Sequence, residues 1–307
     1  MGNVLAGFAT IAVVIALGAA LAHIGLVDRA DERTLSRLAF FVASPALLLT
    51  TVADADVHAL FTRSLLATVV GVVVPVVVYT LAARRVWHRG LGDTVIGALA
   101  SSYVNAGNLG LPVAAYVLGS TALIAPTLLL QLLVMQPLAL TLLDAERRGR
   151  QPGWTDILRT PLTNPLTLAT LLGVVLAVTG TQLPRFIHEP VSLVGGMAVP
   201  GMLLAYGIAL RLGPGLGGGI PLSELATTWT LKMLVQPMSA YAVARFGLGL
   251  TGPTLLAVVI CSTLPTAQNI FVHATRFDRA TVLARDTILL TTVSAMPLML
   301  LEVLLLG

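Results

Sequence analysis

The 307-residue sequence holds one cysteine and one lysine, and charged and aromatic residues make up only 10% and 5% of it. A lone Cys261 excludes an intrachain disulfide and a multi-cysteine metal cage. The five histidines show no metal-ligand spacing, and three of them, His58, His88 and His188, fall in expected loops, so no metal or other cofactor is expected. No histidine is placed by sequence to activate Cys261, which argues against an intramembrane enzyme. No basic patch interleaved with aromatic residues is present, so nucleic acid is not an expected partner. Carboxylates are missing from the middle of every long apolar run: Asp144, Asp286 and Glu302 lie near expected helix ends. Paired carboxylates at mid-membrane equip cation–proton exchangers, and their absence disfavours that chemistry.

Hydrophobic residues fill the space left by these absences. They reach 56% of the chain, and the mean hydropathy of +0.92 would expose far too much apolar surface on a water-soluble globule. The expected class is an all-α polytopic membrane protein. At about 20 apolar residues per span, helices are expected near 4–24, 35–53, 60–82, 94–118, 121–143, 162–181, 190–210, 225–246, 253–274 and 286–306. The first of these, Val4 to Leu21, imitates a signal peptide through Ala20-Leu21-Ala22, but no Lys or Arg precedes it, so it is read as a retained helix.

Arginine sets the orientation, because basic residues near helix ends stay on the cytoplasmic side. With both termini outside, the inner connections hold 14 arginines (Arg29, Arg33, Arg37, Arg84, Arg85, Arg89, Arg147, Arg148, Arg150, Arg159, Arg211, Arg276, Arg279, Arg285) and the outer ones hold 3 (Arg63, Arg185, Arg245). The expected setting is therefore a cell membrane, inner or plasma, crossed many times, with both termini outside. The net charge of +4 then reflects topology.

Proline recurs in a pattern that divides the chain. Pro45 in Val42-Ala43-Ser44-Pro45 finds an echo in Pro200, 155 residues on, and Pro75 in Pro237 at an offset of 162. Pro112 and Pro265 are 153 apart, and Pro137 and Pro297 are 160 apart. Each proline costs a helix a donor and a clash, so four in the same order point to duplication. Residues 1–147 form the first five-helix repeat, 148–160 a basic linker and 161–307 the second repeat. Five is odd, so the second repeat enters the membrane from the opposite side, giving ten helices in a 5+5 inverted repeat, the architecture of alternating access. The glycine-rich stretch 213–219 lacks a following Lys-Ser/Thr and reads as a turn.

Two apolar segments are broken by helix breakers and carboxamides: Tyr103 to Pro112, with Asn105, Gly107, Asn108 and Gly110, and Cys261 to Asn269, with Pro265, Thr266 and Gln268. Irregular backbone at membrane depth survives only where it is buried in protein or lines a cavity. Broken helices at matching places in two halves are the sequence pointer to a transporter's substrate site. Asn105, Asn108, Pro112, Pro265, Thr266, Gln268 and Asn269 are therefore candidate substrate-binding residues. Asn105 and Asn108 could instead satisfy a kinked backbone. Lys232 lies well inside the eighth helix, where a cation must snorkel, pair or face water; it is a candidate to balance an anionic substrate. His273 reads as a packing residue or a proton relay. Gln131, Gln136 and Gln236 are further polar groups that interhelical hydrogen bonds would explain.

The stretches Asn105 to Pro112, Leu264-Pro265-Thr266-Ala267-Gln268-Asn269 and Leu231-Lys232-Met233-Leu234-Val235-Gln236-Pro237 resemble the auxin efflux carrier family, which includes plant PIN-FORMED carriers and bacterial malate or malonate permease-like proteins. The resemblance spans essentially the whole chain. It implies a scaffold domain of helices 1, 2, 6 and 7, a transport domain of helices 3–5 and 8–10, and broken crossover helices 4 and 9 that meet beside the substrate. Asn105 matches a carboxylate-contacting asparagine of the plant carriers, and Thr266 a polar position after the second crossover proline. Val104 stands where plant members commonly have proline, which favours a bacterial-type carboxylate carrier over an auxin carrier. The implied activity is elevator-type secondary transport of small organic anions, carboxylates including auxin-like ones, with a proton or sodium as coupling ion, membrane lipid around it, and a homodimer as the expected assembly. A sodium-coupled bile-acid-type organic anion symporter, built on a shared architecture, is the alternative.

Overall fold

The computed structural model describes residues 2–54, 63–110, 113–114, 117–119, 121–149, 165–213, 216 and 218–306. These residues are helical almost throughout, and the one β-type pairing among them is an isolated bridge between Val104 and Thr266. Among the described residues, five helices are long and apolar enough to cross a membrane: 29–53, 63–85, 126–147, 185–212 and 281–306. Most of the linker, residues 150–160, and the last two residues of the first break, Leu111 and Pro112, lie outside the described residues.

The chain opens with α1 (Gly2–His23) and then α2 (Arg29–Leu38), a π-helical turn (Ala39–Ala43) and α3 (Ser44–Ala53) in one continuous rod. This rod begins six residues before the expected start at 35. Asp28 caps it, accepting from the amides of Ala30 and Asp31 at 2.6 and 3.1 Å, while Asp31 takes the Asp28 amide in return. The first turns are charged, and hydropathy passes over them.

Next come α4 (Arg63–Arg85), α5 (Leu91–Ala100), α6 (Ala125–Leu130) and α7 (Gln136–Arg147), with a π turn (Gln131–Met135) joining the last two. The second half contains α8 (Pro165–Thr179), α9 (Arg185–Gly195), α10 (Ala198–Leu212), α11 (Leu222–Thr230), α12 (Gln236–Ala242), α13 (Gly252–Thr263), α14 (Asn269–Phe277) and α15 (Thr281–Leu306). A π turn (Leu231–Val235) joins α11 to α12.

Three of the π turns share a cause. They end at Ala43, Met135 and Val235, each two residues before a proline, Pro45, Pro137 or Pro237. Proline offers no N–H, and its ring crowds the preceding turn. Widening that turn to bonds five residues apart, as from the Gln236 amide to the Leu231 carbonyl, keeps the rod continuous. Pro75 and Pro297 sit inside ordinary α-helix, so the same residue type has two local outcomes.

Packing falls into two groups. In one, α1 lies on α10, α2 on α10, and α3 on α8 and α9. The α1–α10 contact is backbone-close: a Cβ on Gly207 would lie 2.1 Å from the Ile15 carbonyl oxygen, and one on Gly18 would lie 2.4 Å from that of Leu204. Small residues allow such an approach where lipid supplies no hydrophobic drive between helices. In the other group, α4 packs on α5 and α12, α12 on α13, α13 on α15, and α5 on α7.

Ion pairs tie the ends of this second group together. Glu224, 1% exposed, accepts from Tyr79 at 2.9 Å and from Arg89 Nε at 3.1 Å. Arg279 Nε donates to Glu146 at 3.1 Å, and Asp93 accepts the Ala280 amide at 2.8 Å.

Candidate functional site

Both broken segments are interrupted where their sequence demands it. α5 stops at Ala100, the chain turns at Ser101 and Ser102 and then runs non-helical from Tyr103 to Asn105 before a π turn (Ala106–Gly110). α13 stops at Thr263, and α14 restarts at Asn269. The two non-helical stretches pair with each other: Asn105 N donates to the Pro265 carbonyl at 2.8 Å, and Ala267 N donates to the Tyr103 carbonyl at 3.1 Å. The backbone freed by each break is thus satisfied by the other, which answers the demand of an apolar surround.

Side chains complete the arrangement. Asn105 Nδ2 donates to Gln268 Oε1 at 2.7 Å. Gln131 Nε2 donates to the Val104 carbonyl at 2.9 Å, and Gln236 Nε2 to the Ser102 carbonyl at 2.9 Å. Thr266 Oγ1 donates to the Ala100 carbonyl at 2.6 Å, and the Thr266 amide donates to Thr291 Oγ1 at 3.1 Å. Gln131 opens the π turn before Pro137 and Gln236 directly follows the π turn before Pro237, so both carboxamides that hold the breaks sit at the ends of π turns.

A cavity of about 110 Å³ lies against this junction. Asn105, Gln268, Asn269, Tyr103, Gln131 and His273 line one side, and Ser44, Leu47, Leu48 and Met202 of α3 and α10 close the other. Gln268 Nε2 and Asn269 Oδ1 are buried with no hydrogen-bond partner among the described residues. An unpaired amide donor is costly in such a place and signals a ligand or water to complete it. The positive N-terminal end of α14 begins at the same point.

Among the residues expected at the site, Asn105, Gln268 and Asn269 border the cavity. Thr266, wholly buried, spends its hydroxyl on the backbone, and Pro265 contributes its carbonyl to the pairing; neither borders the cavity. The Asn108 side chain and all of Pro112 lie outside the described residues. Lys232 is fully buried and does not snorkel: Nζ donates to the Ser262 carbonyl at 2.8 Å, near the C-terminal end of α13. Glu302 acts on it electrostatically and accepts from Thr263 Oγ1. A carboxylate placed near a helix end in sequence therefore reaches the interior, because α15 packs along α13. Tyr103, Ser44 and Met202 were not singled out by sequence, and only the contact between distant helices reveals them.

Among the described residues, five helices long and apolar enough to cross a membrane surround two shorter apolar segments whose interruptions pair with each other beside a cavity, an arrangement that suits a multi-pass membrane transport protein. The pattern of the membrane transport protein family, the auxin efflux carrier-like family, matches residues 4–151 and 155–302, and the chain belongs to that family. It is 25% identical over 275 residues to a provisionally named malonate transporter of Rhizobium meliloti (strain 1021), covering 87% of this chain and 85% of the relative. It is 26% identical over 287 residues to an uncharacterized transporter of Methanothermobacter thermautotrophicus, covering 92% of each.

Proposed function

We propose that the chain is a secondary transporter of small organic anions, with carboxylates as the substrate class and the cavity at the two breaks as the binding site. The observation that carries this reading is the buried Gln268 Nε2 donor, unpaired beside Asn105 at the N-terminal end of α14. A carboxylate needs such donors, and a dipole end favours its charge. Malonate, the compound in the Rhizobium relative's name, is a small carboxylate of the class the site suits. A volume of 110 Å³ is roughly four water volumes, well short of an indole acid in this conformation. Among the described residues no carboxylate lines the cavity, which gives a sodium-coupled bile-acid-type reading no support.

The finer architecture follows from the same reading. Ten spans form a 5+5 inverted repeat, with α5 and α13–α14 as parts of crossover helices 4 and 9. The packing group of α1, α2, α3, α8, α9 and α10 acts as scaffold, and the rest moves against it in an elevator-type step, carrying Asn105, Asn108, Pro112, Pro265, Thr266, Gln268, Asn269 and Lys232. The backbone-close α1–α10 contact and the ion pairs at the ends of the second group support that division. The protein sits in the plasma membrane with both termini outside, works with a proton or sodium as coupling ion, and is not an enzyme.

The test is uptake of radiolabelled malonate into proteoliposomes. Saturable uptake in the parent and its loss in Asn105→Ala and Gln268→Ala, with both variants still folded, is the expected result. Unchanged uptake in both variants would remove the junction from the mechanism.

A further inference from the structure

A second and larger cavity, of 460 Å³, lies in the same seam as the first. Its walls come from α2, the C-terminal end of α10, the second half of α14 and the start of α15. The small cavity uses the next stretch of three of these rods: Ser44 to Thr51 after Arg37, Met202 before Ile208, and Val272 and His273 before Thr275 and Arg276. At about 1.5 Å of rise per residue, the nearest lining positions of the two are roughly 3 to 10 Å apart along the helices. Phe41, with the Arg276 guanidinium 4.7 Å above its ring, falls between Arg37 and Ser44 in the chain.

The lining carries an excess of positive charge, five arginines against two carboxylates. Arg29, Arg33, Arg37, Arg276 and Arg285 stand against the carboxylates of Glu32 and Asp278. Arg29 donates to the Leu212 carbonyl, and Arg285 Nε to Asp286 at 2.6 Å, so two of the five are fixed by the wall itself. Neither Arg33 nor Arg37 donates a side-chain hydrogen bond to a described residue, and both are exposed one turn apart on α2. Thr275 Oγ1, buried in the lining, has no hydrogen-bond partner among the described residues. A concave, partly low-dielectric wall with a net positive charge focuses its field and concentrates anions.

We infer that this cavity is a second anion site, built for an oxyanion with two or more charges and set ahead of the carboxamide cavity in one seam. Guanidinium forks from Arg33 and Arg37 take two oxygens, and the Thr275 hydroxyl takes a third. The first cavity offers neutral donors, which fit a carboxylate group without testing its charge. The arginine cavity supplies the discrimination by charge that the carboxamides lack. The inference concerns binding at this cavity and stands apart from the transport reading, although it deepens that reading if both hold.

The experiment is calorimetric titration of the full chain in nanodiscs of zwitterionic lipid with malonate, inorganic phosphate and acetate at low and high salt. In the Asn105→Ala background, which weakens the first cavity, the expected result is dianion binding that weakens as salt rises, at least about tenfold tighter than acetate, lost when R33Q/R37Q is added and weakened but still present with R33K/R37K. Asn105→Ala keeps this binding, and its effect on uptake reports separately on the transport reading. A repeat with anionic lipid in the disc separates the sources: displacement of malonate assigns the site to a lipid phosphate, and no displacement assigns it to a soluble dianion. Equal binding of acetate and malonate, or dianion binding unchanged in R33Q/R37Q, overturns the inference. Both substitutions are at exposed helical positions, and an unchanged melting temperature confirms that folding is not what was lost.

Discussion

Asn105 and Gln268, 163 residues apart in sequence, share a 2.7 Å hydrogen bond inside an apolar bundle. Each carboxamide limits what the other can do. The Gln268 oxygen is consumed by Asn105, so its amide nitrogen is the group left for a ligand.

Asn105→Ala is expected to leave Gln268 Oε1 without its donor, at a cost of about 1–3 kcal/mol. Malonate uptake should fall at least about tenfold, since 1.4 kcal/mol is a factor of ten. Gln268→Ala should behave likewise, and the double variant should lose less than the sum. Additive losses in uptake and melting temperature would show that the two side chains act separately.

Lys232→Met should destabilise the protein by about 1–3 kcal/mol, the cost of leaving the buried Ser262 carbonyl without its donor. Adding Glu302→Gln should recover part of that loss, because Glu302 is the charge that acts on Lys232. The measurement is thermal unfolding of the single and double variants in detergent. No recovery in the double variant would mean that Lys232 serves only the Ser262 carbonyl.

Gly97→Ala would place a Cβ 2.0 Å from the Tyr79 hydroxyl oxygen. The ring must move away from Glu224, and overpacking of this kind costs about 1–3 kcal/mol. The melting temperature should drop, and Tyr79→Phe in the same background should relieve little, because the ring itself is in the way at 2.1 Å. A neutral Gly97→Ala would show that α4 and α5 can separate freely.

Asp28 gives a pH-dependent prediction outside the membrane. Amide hydrogen bonds from Asp31 and Ala30 hold its carboxyl below the usual 3.8. A depressed carboxylate lends stability that is fully present above the unfolded value and is lost as pH falls through the folded one. Hydrogen-exchange protection at the first turn of α2, taken relative to the intrinsic exchange rate at each pH, should therefore fall in acid. Asp28→Asn, which still caps, should flatten that response, and an unchanged acid profile would discount the cap.

The sequence made the breaks legible because proline, glycine and asparagine leave few alternatives in an apolar run. It also marked Gln131, Gln136 and Gln236, yet gave no reason to set them beside the breaks, since that depends on π turns whose placement follows from prolines two residues downstream. Thr266 and Gln268 read alike as polar neighbours of Pro265. Which one faces the cavity is decided by how the unwound strand turns when it pairs with Val104. Lys232 and Glu302 were read apart, because their proximity belongs to helix packing and not to local pattern. Glu224 carried no local signal, and its role appears only once α11 meets α4.

The Val104–Thr266 pairing has a mechanical consequence. Pulling the two breaks apart would strand the Asn105 and Ala267 amides and the Pro265 and Tyr103 carbonyls away from water, each at several kcal/mol. The chain's two halves are riveted there. Any displacement that keeps these bonds must carry both breaks as one unit.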